Sequence, residues 1–280
     1  MGRTPAIYRD HLKPSARDMK ATRLFLTALL MAALSSSCSV KEDRDPCPCV
    51  LDIFLEDSGD HADRLAVSAW DGSGRLFLDR IDTDKYPDIY QKKVPKGFLN
   101  VCAYGGVQNM ALKSERLIIP EGCQCDPIWA YRGDTVDATG ETAEDHVTLH
   151  KQYAVIHIRL DSLGRDTGGA ILRAVGTANG FDISTLKPVK GPFHSFTSLD
   201  GEMHHTVSVP RQFDGSLELE VYLEGVLSRV VLLGELILNA GYSWEREDLE
   251  DIYISLGLFS SGRITISVNG WDTEAITFKY

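Results

Sequence analysis

Leu217-Glu218-Leu219-Glu220-Val221-Tyr222-Leu223-Glu224 places an apolar side chain at every second position and an acidic or phenolic one between. A period of two is the spacing of a β-strand with one face in a core and the other in water. Outward from this stretch the alternation recurs. Leu51, Ile53 and Leu55 alternate with Asp52 and Phe54, and Leu65, Val67 and Ala69 with Ala66, Ser68 and Trp70. Leu99, Val101 and Ala103 alternate with Asn100 and Cys102, Ile156, Ile158 and Leu160 with His157 and Arg159, and Ile264, Ile266 and Val268 with Thr265, Ser267 and Asn269. Each such strand is expected to bury one face and wet the other.

Turn chemistry falls between these runs, at Asp71-Gly72-Ser73-Gly74, Gly105-Gly106, Asp161-Ser162-Leu163-Gly164, Asp200-Gly201, Asp214-Gly215 and Ser261-Gly262. Asp-Gly tolerates the positive φ that tight hairpins need. No window of a dozen residues after Cys38 carries a 3.6 period, so the chain reads as all-β and as sandwiches rather than α/β. The acidic stretch Asp137 to Asp145 ends where a fresh strand pattern begins, which sets a boundary near Asp145 to Lys151 and divides the body into 47–148 and 149–280. The 243 residues from Cys38 onward suffice for two domains with a core each.

The one strongly apolar run is Leu24 to Leu34, LFLTALLMAAL, followed by three serines and Cys38. It is too short to span a bilayer, which takes about 20 residues, and fits the roughly 7 to 15 of a signal-peptide core. Lys20 and Arg23 supply the positive flank, so residues 1–37 read as a signal peptide whose true start is Met19. A cysteine directly after the small residues marks a lipoprotein signal, making Cys38 the diacylated first residue of the mature chain. Residues 38–46 form a charged tether. Within it Lys41, Glu42 and Asp43 resemble the lysine-plus-acidic-pair signal that sends Bacteroidota lipoproteins to the outer face of the cell outer membrane.

Residues 1–37 hold six Lys/Arg and two Asp/Glu, so the remainder carries 23 basic against 38 acidic side chains, a net charge of −15. Such a body repels phosphate backbones and anionic headgroups, which argues against nucleic acid and against peripheral membrane binding by charge. The membrane contact falls to the lipid.

Five further cysteines remain, two pairs of them in C-x-C spacing: Cys47 and Cys49, Cys123 and Cys125. Four thiolates can hold zinc, but zinc sites more usually space them C-x-x-C, and an exported setting favours disulfides. A bridge between the two pairs is the expectation, with Cys102 a buried thiol in an apolar strand. No metal or other cofactor is assigned.

Catalytic signatures are missing: no G-x-S-x-G, no G-x-x-x-x-G-K-[ST], no H-E-x-x-H, no G-x-G-x-x-G after a strand. Adjacent His204 and His205 point to opposite faces of a strand, and His146, His150 and His157 read as surface or half-buried side chains. The acid pairs Glu247-Asp248 and Glu250-Asp251 read as solvated loop faces rather than a calcium or glycosidase site. Arg132-Gly133-Asp134 spells an integrin-type tripeptide on an expected loop, a match common by chance. The chain is not expected to be an enzyme.

Taken in order, the lipoprotein cysteine, the acidic tether, Cys47-Pro48-Cys49 before the first strand, LAVSAWDGSGRLF (65–77), VPKGFLNVCAYGG (94–106) and a late strand ending VNGW (268–271) resemble the FimB-type fimbrial anchor family of Bacteroidales. The resemblance spans Cys38 to about Trp271. It implies an outer-membrane lipoprotein with two tandem transthyretin-like, Greek-key sandwiches at the base of a type V pilus. Its partners would be pilin subunits, gripped by β-strand exchange, with the shaft attached to the cell and its length limited. After Trp271 only Asp272 to Tyr280 follow, short for a donor strand, as expected of a subunit that ends the polymer. The competing reading is a surface glycan-binding lipoprotein, which would present exposed aromatics from among Trp70, Trp129, Trp244 and Trp271.

Overall fold

The alternating runs form strands. The computed structural model describes residues 47–56, 58–161, 169–199, 204–257, 263–268 and 271–276; Cys38, Lys41, Glu42, Asp43 and the leader lie outside them. In chain order the strands are β1 (Cys49–Phe54), β2 (Arg64–Asp71), β3 (Gly74–Asp82), β4 (Ile89–Val94), β5 (Phe98–Gly105), β6 (Ala111–Lys113), β7 (Arg116–Ile118), β8 (Trp129–Asp137), β9 (Thr142–His146) and β10 (His150–Lys151). They continue as β11 (Tyr153–Asp161), β12 (Ile171–Asp182), β13 (Pro188–Phe196), β14 (Ser198–Leu199), β15 (His204–Pro210), β16 (Glu218–Leu223) and β17 (Val226–Val231). After the helix α1 (Leu233–Asn239) come β18 (Ile252–Gly257), β19 (Arg263–Val268) and β20 (Trp271–Ile276). The all-β reading holds. α1 left no readable periodicity, because seven residues are too few to display a helical period.

The same wiring is used twice. In the first sandwich β1 lies between antiparallel β4 and parallel β9, facing a sheet in which β2 sits between β3 and β5, with β8 beyond β5. In the second, β11 lies between antiparallel β15 and parallel β18, facing a sheet in which β12 sits between β13 and β16, with β17 beyond β16. The second sandwich adds β19 and β20 beyond β18.

Each sandwich closes on its own core. Leu51 and Ile53 of β1 meet Leu65, Val67 and Ala69 of β2 and Leu99 and Val101 of β5, all almost wholly buried. Ile156 and Ile158 of β11 meet Leu172 of β12, Leu219 of β16 and Ile252 of β18 in the second. Fully burying a side chain of this size contributes about 1.5–3 kcal/mol. The chain passes between sandwiches at Gln152, whose Oε1 accepts from Nε and Nη2 of Arg211 (3.2 and 3.0 Å). The other guanidinium hydrogens reach the carbonyls of Trp244, Arg246 and Glu247, tying that loop to the junction.

Two sequence expectations need correction. The first is that β2 and β5 wet one face. Ala66 and Ser68 of β2 and Cys102 and Tyr104 of β5 are buried as well, because elements of the second sandwich cover that side. The carbonyl of Ser184, at the tip of the β12–β13 hairpin, accepts from Arg132 Nε (2.7 Å), and Trp70 Nε1 donates to Ser68 Oγ (3.2 Å). A five-stranded sheet filled on both sides makes one compact unit of residues 45–280.

The second correction concerns residues 106–128, assigned by sequence to the first domain. Here the chain leaves β5, pairs β7 with Gly180, Phe181 and Asp182 of β12, lodges Leu117 and Ile119 in the second core, and returns to β8. Its neck is a carboxylate nest. Asp126, 3 % exposed, accepts from the backbone N–H of Gln108, Asn109 and Met110 (2.7, 2.7 and 2.8 Å) and from Asn109 Nδ2 (3.2 Å). Asp126→Ala orphans three backbone donors and is expected to cost on the order of 3 kcal/mol. Urea denaturation would register this as a lower midpoint at constant slope; an unchanged midpoint would mean the neck closes without the carboxylate.

Candidate functional site

The C-x-C pairs do not meet. Cys49 is buried in the first core, Cys125 in the second with Cys123 beside it, Cys47 is exposed, and all are free thiols. The expected bridge is absent from the structure because β1 points Cys49 inward between its sheets, whereas 123–125 travels with the excursion into the other sandwich. Burial raises the pKa of the Cys49 and Cys125 thiols and pushes Cys102 up to about 12, so these three are poor nucleophiles.

Arg132-Gly133-Asp134 lies within β8, not on a loop. A Cβ on Gly133 would come within 2.7 Å of the Tyr131 hydroxyl and 2.8 Å of Asp145 Oδ2, and Arg132 is spent on Ser184. The tripeptide is part of a packed sheet and lacks the protruding loop an integrin ligand requires.

The histidines are occupied locally. His146 stacks on Phe54 (4.4 Å between ring centroids), His150 Nδ1 is 3.0 Å from Asp248 Oδ2, and His157 stacks between His204 and Tyr253 (5.6 and 4.6 Å). His205 is buried against the Thr197 hydroxyl, and burial followed by the neighbouring His204 lowers its pKa. The acid pairs are clamps more than solvated faces: Asp248 accepts from Lys151 N (2.7 Å), Asp251 from Lys151 Nζ and Val155 N (2.6 and 2.9 Å), and Glu250 pairs with Arg246 (2.6 Å). Among the described residues no group of three or more His, Cys, Asp or Glu is arranged to hold a metal ion, and no helix among them is long and apolar enough to cross a membrane.

Two clefts open at the junction of the sandwiches. The larger, about 1010 Å³, runs from Asp60 and Arg64 to Met110 and Leu117. In its wall Trp129 is covered by His61 (3.9 Å), and of its charged side chains Arg64 and Lys85 are both bound to Asp82 (3.1 and 2.5 Å). The other, about 750 Å³, is walled by Arg211 and Trp244. Trp70 donates to Ser68 and lies under Arg75 (5.7 Å), and Trp244 is buried against Tyr242. None of these three indoles offers an open face for a sugar ring.

Several exposed apolar side chains gather on the outer face of the second sandwich's β17-side sheet. Register sets Phe196, Arg173, Glu220 and Val230 in one row across β13, β12, β16 and β17, and Ile171, Tyr222 and Leu227 in the next. The Arg173 guanidinium lies 6.0 Å from the Phe196 ring and 5.6 Å from that of Tyr222 and bonds Glu220 at 2.6 Å, which holds the carboxyl below its usual range. Phe196, Ile171 and Leu227 are each about half exposed. Sequence reading passed over this surface, although its signal is visible: β17 reads VLSRVV, with one charge in six residues.

No protein-family model matches the chain, and no curated protein matches it in sequence. Solved structures do share its fold. The fimbrial anchor protein Mfa2 from Porphyromonas gingivalis superposes with a TM-score of 0.63 at 13% identity, over 82% of this chain and 100% of that one. A putative polysaccharide-binding protein from Bacteroides thetaiotaomicron gives 0.62 at 13% identity, over 81% and 98%. A putative adhesin from Bacteroides ovatus gives 0.60 at 11% identity, over 87% and 100%.

Proposed function

We propose that this chain is a cell-surface fimbrial subunit, lipid-anchored in the outer membrane through Cys38, that holds a pilus shaft to the cell, limits its length and catalyses nothing. The observation that carries the reading is the likeness of its body, from end to end, to a protein named as a fimbrial anchor. Two features of the fold support it. A sheet filled on both faces joins the sandwiches into one unit suited to bearing load. The late segment Trp271–Ile276, which a polymerising subunit would offer to its neighbour, is paired with β19 over six residues. Attachment then falls to a strand that the shaft contributes, main-chain hydrogen bonds supplying affinity and side-chain pockets supplying register. The glycan-binding alternative draws on the name of another structural neighbour, but Trp70, Trp129 and Trp244 are covered and give it no platform, while the Trp271 side chain lies outside the described residues.

Affinity-tagged protein extracted from outer membranes tests the reading. Fimbrial subunits should co-purify with it. A preparation free of them that is retained on polysaccharide resin would replace the fimbrial reading with the glycan-binding one.

A further inference from the structure

An edge strand presents unpaired N–H and C=O groups, a template for any extended chain, and proteins blunt such edges with charge, proline or brevity. Among the described residues the other sheet edges are blunted. β4 carries Lys92 and Lys93, β9 carries Glu144 and Asp145, and β3 carries Arg75, Asp79 and Arg80. β13 contains Pro188, Lys190 and Pro192, the β20 sequence contains Asp272 and Glu274, and β6, β10 and β14 are two or three residues long. β17 departs from this pattern. Among the described residues it has one strand neighbour, β16, its only charge is Arg229, and Val226, Leu227 and Val230 are 69, 46 and 38 % exposed, followed by Leu232 at 50 %.

We propose that β17 is a docking edge, at which an extended strand of a fimbrial partner adds to the second sandwich by β-augmentation. This rests on the fimbrial reading above and names the surface that reading needs. The occupant follows from the geometry. The open backbone demands a strand, and the two rows ending at Val230 and Leu227 would continue onto it, so its residues opposite those positions are apolar. At the far end the β16–β17 turn, with Glu224 and Gly225 at φ 52° and 79°, leaves an exposed carboxylate at the edge. That calls for a basic residue at the adjoining end of the incoming strand. The chain's own net charge opposes the alternative of two copies pairing at this edge.

The test uses the full lipoprotein in its own outer membrane. Leu227→Lys with Val230→Lys places charge on two exposed positions, and Phe98→Lys, at a 62 % exposed site of the first sandwich, is the control. The double variant should retain fimbrial subunits at least about tenfold less well than the unaltered protein, with its thermal midpoint unmoved and the control unaffected. A photo-crosslinking residue in place of Ser228 should join to an apolar strand of a fimbrial subunit, identified by peptide sequencing. Undiminished retention by the double variant would overturn the docking edge while leaving the fimbrial reading in place. So would crosslinks only to a second copy of this chain. Failure of the unaltered protein to retain any fimbrial subunit would remove the reading and the edge together.

Discussion

Gly106→Ala is expected to lower the stability of residues 45–280 by about 3–5 kcal/mol, through two penalties that fall at one position. Gly106 has φ +81°, a left-handed backbone that an alanine adopts only at a cost, and a Cβ there would stand 2.0 Å from the Pro127 carbonyl oxygen. The contact is the neck of the 106–128 excursion, where the outgoing and returning chains meet beside Asp126. Opening it pulls Leu117 and Ile119 away from the second core and uncovers Ala66 and Tyr104. Gly122→Ala separates the two penalties, because Gly122 has φ +76° with nothing within 4 Å of the added Cβ. It should cost about 1 kcal/mol, for backbone strain alone. Denaturation midpoints of the two variants make the comparison. Equal losses would mean that the close approach at the neck contributes nothing.

That neck also marks where sequence stopped being informative. A period of two records which residues face a core but not which core. Leu51, Ile53, Ile156 and Ile158 were therefore legible, whereas Leu117, Ile119 and Cys125 sit among their neighbours in sequence and belong to the other sandwich. The second buried face of β2 and β5 left a trace that was readable in principle: Ala66, Ser68, Trp70, Cys102 and Tyr104 include no charge, unlike the Glu218 and Glu220 of a wetted face. Short motifs misled for a related reason. Arg132-Gly133-Asp134 and the C-x-C pairs are defined by neighbours along the chain, but Gly133 is hemmed in by Asp145 of the facing sheet and Cys49 is set by the strand that turns it inward. The unblunted edge at β17 was legible as low charge, though its edge position depends on pairing that no local pattern encodes.

Cys38→Ala is expected to move the protein, and the fimbriae with it, from the cell to the culture medium. The expectation comes from sequence, since Cys38 lies outside the described residues, and its size follows from lipid partitioning. Each buried methylene contributes about 0.8 kcal/mol, one acyl chain holds a protein only marginally, and two or more hold it firmly. Among the described residues nothing is suited to replace them: the acidic body is repelled by anionic headgroups, and no helix there is long and apolar enough to span the bilayer. Removing the thiol therefore removes the attachment and leaves the sandwiches folded. On the proposed reading all load on the shaft reaches the membrane through the tether that enters at β1, a strand held along its length by β4 on one side and β9 on the other. The check is immunoblotting of cells and medium beside counts of cell-bound fimbriae. Protein released without fimbriae would keep the lipid anchor and sink the fimbrial role, whereas both remaining on the cell would show that the membrane is held by something other than Cys38.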